Sequence, residues 1–196
     1  MSKRLFDIAA ALAGLLLLAP LFVLVALRIK LDSPGPVFFR QQRVGHHGKL
    51  FSIYKFRTMT VVTAETAQLT VGRDSRITRA GQFLRHYKLD ELPQLINVLQ
   101  GAMSLVGPRP EVPRYVACYP PEVRVIVLSV APGITDWASI LYREESAILG
   151  RAADPERAYL ETILPAKLEY YVRYVRERNF WSDLRIIFST LSAIVH

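Results

Sequence analysis

The stretch Arg85-His86-Tyr87-Lys88-Leu89-Asp90-Glu91-Leu92-Pro93-Gln94-Leu95 concentrates groups that could do chemistry. Proline is tolerated in a helix only within the first turn, where backbone donors are unpaired anyway. Pro93 therefore predicts a helix that starts near Asp90. Asp90 and Glu91 would then sit among unpaired N–H groups at a positive dipole end, a place that also binds phosphate. Two roles stay open for the pair. Asp with Glu just inside a helix is ordinary capping chemistry. The other role is work on a phosphate group.

Positive charge nearby favours the second role. Leu105-Val106-Gly107-Pro108-Arg109-Pro110-Glu111 holds Arg109 between two prolines. Their rings stiffen the backbone on both sides. A stiffly held guanidinium suits bidentate binding of a phosphate. Arg85, just ahead of the acidic pair, is a second candidate. Lys55 and Arg57, at the end of an expected strand, add more charge. Each of these cations alone would read as a solvated surface residue.

These side chains need a scaffold, and its first element is apolar. The residues from Ile8 to Leu27 carry no charge, and a bilayer crossing needs about twenty such residues. The apolar run ends in Val25-Ala26-Leu27, with no small-x-small cleavage site directly before Arg28, so a removed signal peptide fits poorly. Pro20 interrupts the run, removing a backbone donor and crowding the Leu16 carbonyl. Lys3 and Arg4 precede the run; Arg28, Lys30, Arg40 and Arg43 follow it. Basic residues prefer the cytoplasmic side. Basic flanks at both ends fit a helix–break–helix that enters and leaves by one face, with Ala19-Pro20 as the break. A kinked spanning helix remains the other reading.

Beyond the turn at Asp32-Ser33-Pro34-Gly35-Pro36, Val37-Phe38-Phe39 and Leu50 to Phe56 read as strands of a hairpin. Its loop, Val44-Gly45-His46-His47-Gly48, has no Cys or carboxylate pattern around the histidines and reads as solvated rather than metal-binding. Thr60 to Ser75 reads as a polar surface loop. Helical periodicity marks Gly81 to Arg85 and Leu92 to Leu99, with Gly101 as a stop. One or two short helices follow between Glu111 and Val130, broken at Pro120-Pro121. A long helical region runs from Pro155 to Arg178. The last helix, Phe180 to Val195, has Ser182 as its expected cap. Its stripe of Leu184, Ile187, Phe188, Leu191 and Ile194 suits core packing, or a helix lying in the headgroup plane.

Composition bounds the reading. The 196 residues suffice for one domain with a core. Lys+Arg 25 against Asp+Glu 17 gives a net charge of +8, which suits an anionic partner. No nucleic-acid motif accompanies that charge, and the apolar N-terminal segment argues against a nucleic-acid binder. One cysteine, Cys118, excludes an internal disulfide framework.

Five segments, in order, resemble the monotopic phosphoglycosyl transferases, also called bacterial sugar transferases. They are Lys3-Arg4-Leu5-Phe6-Asp7, Tyr54-Lys55-Phe56-Arg57-Thr58-Met59, Leu89-Asp90-Glu91-Leu92-Pro93-Gln94-Leu95, Ser104-Leu105-Val106-Gly107-Pro108-Arg109-Pro110 and Pro132-Gly133-Ile134-Thr135. The resemblance implies a mainly helical α+β fold. Residues 1–31 would form a re-entrant membrane anchor. Residues 32–196 would form a cytosolic catalytic domain with a small β-hairpin and interfacial amphipathic helices, without further domains.

The same resemblance implies transfer of a sugar-1-phosphate from a UDP-sugar to polyprenol (undecaprenyl) phosphate at the cytosolic face of the bacterial inner membrane. Asp90 falls on the nucleophile position and Glu91 on that of a magnesium ligand. Arg85 and Arg109 fall on positions associated with phosphate, with Lys55 and Arg57 as further candidates. Membrane phospholipid is an implied partner and nucleic acid is not; the oligomeric state stays open, a homodimer included. A scaffold of the same fold without turnover is the alternative, although both acidic residues are present. Two departures stand out. Ala19-Pro20 replaces the family's usual Ser-Pro break. Asp136 to Glu145 departs from the usual sequence after Pro132-Gly133-Ile134-Thr135, which leaves sugar preference open.

Overall fold

The computed structural model describes residues 3–60 and 74–195. Most of the expected polar loop between Thr60 and Ser75 lies outside them. The chain opens with helix α1 (Lys3–Asp32), followed by an antiparallel hairpin of β1 (Phe38–Val44) and β2 (Leu50–Phe56). Then come α2 (Arg79–His86), α3 (Gln94–Gln100), β3 (Ser104–Val106), α4 (Pro113–Val116) and α5 (Pro121–Val127). Strand β4 (Gly133–Thr135) pairs in parallel with β3. The chain closes with α6 (Trp137–Leu141), α7 (Glu145–Leu149), α8 (Pro155–Ala158), α9 (Leu164–Glu177) and α10 (Phe180–Val195). The fold is thus mainly helical with small sheets.

Helix α1 is, among the described residues, the one helix long and apolar enough to cross a membrane. Its 30 residues make it about 45 Å long if straight. One face is docked along the rest of the chain. Asp7, Ala11, Val25 and Ile29 are buried, and Gly14, Leu21 and Phe22 lie between them on the same stripe. That three-to-four spacing is what a packed helix requires. The opposite face stays bare, with Leu17 81% and Leu31 82% exposed.

Both ends of α1 are fastened to the same body. At the start, Lys3 Nζ lies 2.5 Å from Asp183 Oδ2, and Arg4 donates to the carbonyls of Val98 and Leu99. Asp7 accepts from Ser104 Oγ at 2.8 Å and from the Leu105 N–H at 3.3 Å. At the far end, Asp32 accepts from the Ala80 N–H at 2.9 Å, and Arg57 donates to the Ser33 carbonyl at 2.8 Å.

The expected interruption at Ala19-Pro20 needs correcting: the helix runs through Pro20 without a gap. Proline removes one hydrogen bond, the one its own N–H would give to Leu16. Packing of Leu21, Phe22 and Val25 against Phe56 and Leu84 holds the second half helical.

Other boundaries shift for local reasons. Helix α3 begins at Gln94, not near Asp90. A tight turn at Leu89–Glu91 precedes it, and Pro93 takes the cap position. The long region from Pro155 divides around a wide turn at Tyr159–Ile163. Pro165 cannot donate to Glu161, so the helix changes register there. Helix α10 is capped by Asn179 rather than Ser182. Asn179 Oδ1 accepts from the Ser182 N–H, and Ser182 Oγ accepts from the Asn179 N–H. Of its expected core stripe, Phe188 and Leu191 are exposed, while Ile186 is fully buried.

The largest core packs Tyr115, Tyr159, Leu164, Leu168 and Tyr171 with Val112, Val116 and Val127. It backs the Pro-Arg-Pro segment. The parallel pair of three-residue strands supports that segment from the other side. A Cβ on Gly133 would lie 2.1 Å from the Gly107 nitrogen, so both strands depend on glycine to approach this closely.

Candidate active site

Four elements deliver the chemistry-bearing side chains to one place. Helix α2 is capped by Thr78, whose Oγ1 accepts from the Gly81 N–H. Two residues past its end, Lys88 takes a left-handed conformation (φ 54°). The chain reverses there into the turn that carries Asp90 and Glu91. The capping role left open for Asp90 is not what it does: neither the turn nor α3 has a side-chain cap. Asp90 is 7% exposed, and its Oδ1 has no hydrogen-bond partner among the described residues. One turn on, Gln94 is 1% exposed and its Nε2 is likewise unpartnered. Orphaned buried polar atoms are uncommon, and two within one turn mark a place built for something else to bind.

Glu91 is the opposite case. Its Oε1 accepts from Lys55 Nζ at 2.7 Å and from Arg109 Nη2; its Oε2 accepts from Arg109 Nη1 at 3.1 Å. Lys55 comes from β2, opposite Phe39 in the hairpin. Arg109 follows β3, fixed by its flanking prolines and by the Gly133 N–H, which donates to Pro108 O at 2.9 Å. The arginine fork on a carboxylate is a strong, directional contact.

These surroundings push the two neighbouring acids apart. Burial raises Asp90 above the usual carboxylate range; Lys55 and Arg85 pull it down and Glu91 pushes it further up. Burial would raise Glu91 too, but Arg109 and Lys55 outweigh it and hold Glu91 well below that range. Glu91 in turn holds Arg109 well above the ordinary guanidinium value. Such divergence within a pair of like groups is a mark of divided acid and base roles.

Other expected site residues divide. Arg85 lies close enough to Asp90 for their charges to interact, and its Nε donates to Thr58 Oγ1 at 3.0 Å. Arg57 is elsewhere. It is buried, and its guanidinium donates to Pro36 O at 2.6 Å, Ser33 Oγ at 2.5 Å and Ser33 O at 2.8 Å. Its donors clamp the end of α1, and among the described residues no hydrogen bond joins it to Asp90 or Glu91. Ala19 and Pro20 lie on the exposed side of α1, away from these residues.

Residues that sequence reading did not single out hold the site from behind. Glu111 accepts from Tyr159 Oη at 2.9 Å and pairs with Lys167 at 3.5 Å and Arg43 at 3.4 Å. Lys167 also reaches Glu145 at 3.0 Å. Arg43 donates to the Pro110 carbonyl at 3.0 Å, tying this buried network to the residue beside Arg109. Glu111 follows directly on the Pro-Arg-Pro motif, which was the one available signal. Nothing local distinguishes Lys167 from any other helical lysine.

A magnesium ion borne by substrate would find its protein ligand in Glu91. A carboxylate has about four lone-pair positions, and three hydrogen bonds use only part of what Glu91 offers. No cluster of three or more His, Cys, Asp or Glu exists among the described residues. An all-protein cage is therefore lacking. Magnesium commonly takes one or two carboxylates and keeps water and phosphate oxygens for the rest.

The chain is similar to known proteins over its whole length. A family model described as bacterial sugar transferase matches residues 1–196. An Aeromonas hydrophila protein named UDP-N-acetylgalactosamine-undecaprenyl-phosphate N-acetylgalactosaminephosphotransferase is 39% identical over 98% of this chain and 43% of its own. An Escherichia coli K12 protein named UDP-glucose:undecaprenyl-phosphate glucose-1-phosphate transferase is 40% identical over 96% of this chain and 39% of its own. A Caulobacter vibrioides protein with the same name is 36% identical over 98% of this chain and 69% of its own. The chain thus spans less than half the length of the first two relatives.

Proposed function

The chain belongs to the bacterial sugar transferase family, and from that premise we propose that it transfers a sugar-1-phosphate from a UDP-sugar to polyprenol phosphate. The observation that carries this reading is the divided dyad: a buried Asp90, its Oδ1 without a partner among the described residues, beside an ion-locked Glu91. Relatives whose names specify sugar-1-phosphate transfer to undecaprenyl phosphate support the substrate class.

In this reading Asp90 attacks the sugar-bearing phosphorus of the UDP-sugar. The bond to the bridging oxygen breaks, UMP leaves, and a phospho-sugar aspartyl ester remains. A phosphate oxygen of the polyprenol then attacks the same phosphorus, releasing the Asp90 carboxylate and polyprenyl-diphosphate-sugar. Two steps replace one encounter between like-charged anions. Lys55 and Arg85 favour the ionised Asp90 that the attack needs. Arg109 keeps Glu91 ionised and oriented. Magnesium, held by Glu91 together with substrate phosphate oxygens, would offset negative charge at the reacting group.

The membrane reading follows from α1. Its bare apolar face suits lipid, while both ends bond to one body. A helix fastened in this way keeps its two ends on one side of a bilayer, so we read the chain as monotopic on the cytosolic face. That would hold the dyad near the headgroups, where the acceptor phosphate lies.

Intact-protein mass spectrometry tests the chemistry. With UDP-sugar and magnesium but no acceptor, the protein should gain one phospho-sugar mass, mapped to Asp90. Asp90→Asn should gain none. Steady-state kinetics showing a ternary complex, or an adduct on Glu91, would overturn the mechanism. A panel of UDP-sugars scored by UMP release would identify the donor.

A further inference from the structure

Helices α6, α9 and α10 border an open hollow of about 540 Å³, within the size range of small-molecule sites. Trp137, Tyr170 and Trp181 form apolar walls, and Arg173, Arg178 and Arg185 bring positive charge. Arg173 is engaged by Glu177 at 3.1 Å. Arg185 lies over the Trp137 ring at 5.9 Å, and neither it nor Arg178 meets a carboxylate among the described residues. Two guanidinium forks are thus left for an anion, set against aromatic surface.

The hollow lies beside the start of the membrane-facing helix. Phe180 packs edge-on against Phe6 of α1 at 5.3 Å, and Asp183 binds Lys3. Trp181, next to Phe180, is 76% exposed. Exposed amphipathic aromatics of this kind sit at headgroup depth. The inner wall is Tyr174, whose hydroxyl bonds to Val106 O at 3.0 Å and Asp183 at 2.9 Å. The Lys55–Glu91–Arg109 group does not line the hollow.

We propose that this hollow binds the headgroup of an anionic phospholipid, a function separate from sugar-phosphate transfer. Arginine forks match the phosphodiester. The tryptophan and tyrosine walls take the glycerol and the first acyl carbons. An inorganic phosphate would leave those walls unused and most of the volume unfilled. Basic pockets between membrane-associated helices bind anionic heads on the same principle.

The chain has two tryptophans, Trp137 and Trp181, and both line the hollow, so intrinsic fluorescence reports on it directly. The full chain in phosphatidylcholine nanodiscs should show a saturable emission change as phosphatidylglycerol replaces part of the phosphatidylcholine. Native mass spectrometry of protein released from mixed discs should show phosphatidylglycerol retained in preference to phosphatidylcholine. The double variant Arg178→Gln, Arg185→Gln should bind it roughly tenfold more weakly, with UMP release in pure phosphatidylcholine unchanged. Both arginines are exposed; an unaltered melting curve checks the fold, and Arg178→Gln alone should show a smaller loss. Equal retention of the two lipids, or full binding by the double variant, would overturn the proposal. So would inorganic phosphate producing the same saturable change, because the hollow would then be a free-anion site.

Discussion

Asp90 and Glu91 differ by one methylene, yet their surroundings give them opposite tendencies. Asp90 is pushed towards its neutral form by burial, so the folded protein binds that proton more tightly than the unfolded chain. Ionising it then costs stability as pH rises through the raised value. Asp90→Asn removes that cost while abolishing the proposed adduct. Its melting temperature should exceed that of the unsubstituted protein at pH 8, and the gain should vanish at acid pH, where Asp90 is already protonated. A loss of stability at pH 8 would mean that Asp90 is a structural partner instead. Arg109 makes a different prediction. Arg109→Lys keeps the charge but loses the two-pronged contact with Glu91, so turnover should fall about tenfold or more. The acid limb of the pH–rate profile should move to higher pH, because Glu91 is held less firmly in its ionised form. If Lys serves as well as Arg, only charge matters at this position.

Among elements, the joint between the hairpin and α3 is the one on which the dyad depends. Asn97 is buried; its Oδ1 accepts from the Tyr54 N–H at 2.9 Å and its Nδ2 donates to Ser52 O at 2.9 Å. A helical side chain thus pairs two backbone groups of β2 just ahead of Lys55 in the strand. Asn97→Ala would remove both hydrogen bonds, at a cost of about 1 kcal/mol each. We expect a lower melting temperature together with slower adduct formation, measured on the same preparation; an unchanged adduct rate would show that Lys55 is positioned without this joint. Asn97 also shows where sequence reading stops. It lies inside a helical pattern, and nothing local says that its amide crosses to a strand. Strand β2 was legible from its run of apolar and aromatic residues. Strands β3 and β4 were not, since three residues each give no period and their pairing spans a long separation. Their segments were visible only as motifs. The dyad was legible because Pro93 marks a helix start, although the intervening turn was not. Arg57 misled because a buried arginine serving carbonyls and one serving phosphate look the same in a sequence.

At the scale of the molecule, α1 lies along the rest of the chain instead of standing apart from it. Single cysteines at Ser2 and Lys30, in a Cys118→Ser background because Cys118 is exposed, should both react with a membrane-impermeant thiol reagent only from the cytoplasmic side. Periplasmic labelling of either would refute the one-sided topology. The clamp on α1 also imposes an order of events in synthesis. Lys3 and Asp183 are 180 positions apart, so at about 5–20 residues per second the aspartate emerges roughly 10–40 seconds after the lysine. For that interval the apolar helix exists without the partner that secures its start. Something has to shelter it from water meanwhile, and the lipid surface is the nearest candidate. The bilayer would then serve this chain first as a chaperone and only afterwards as a workplace.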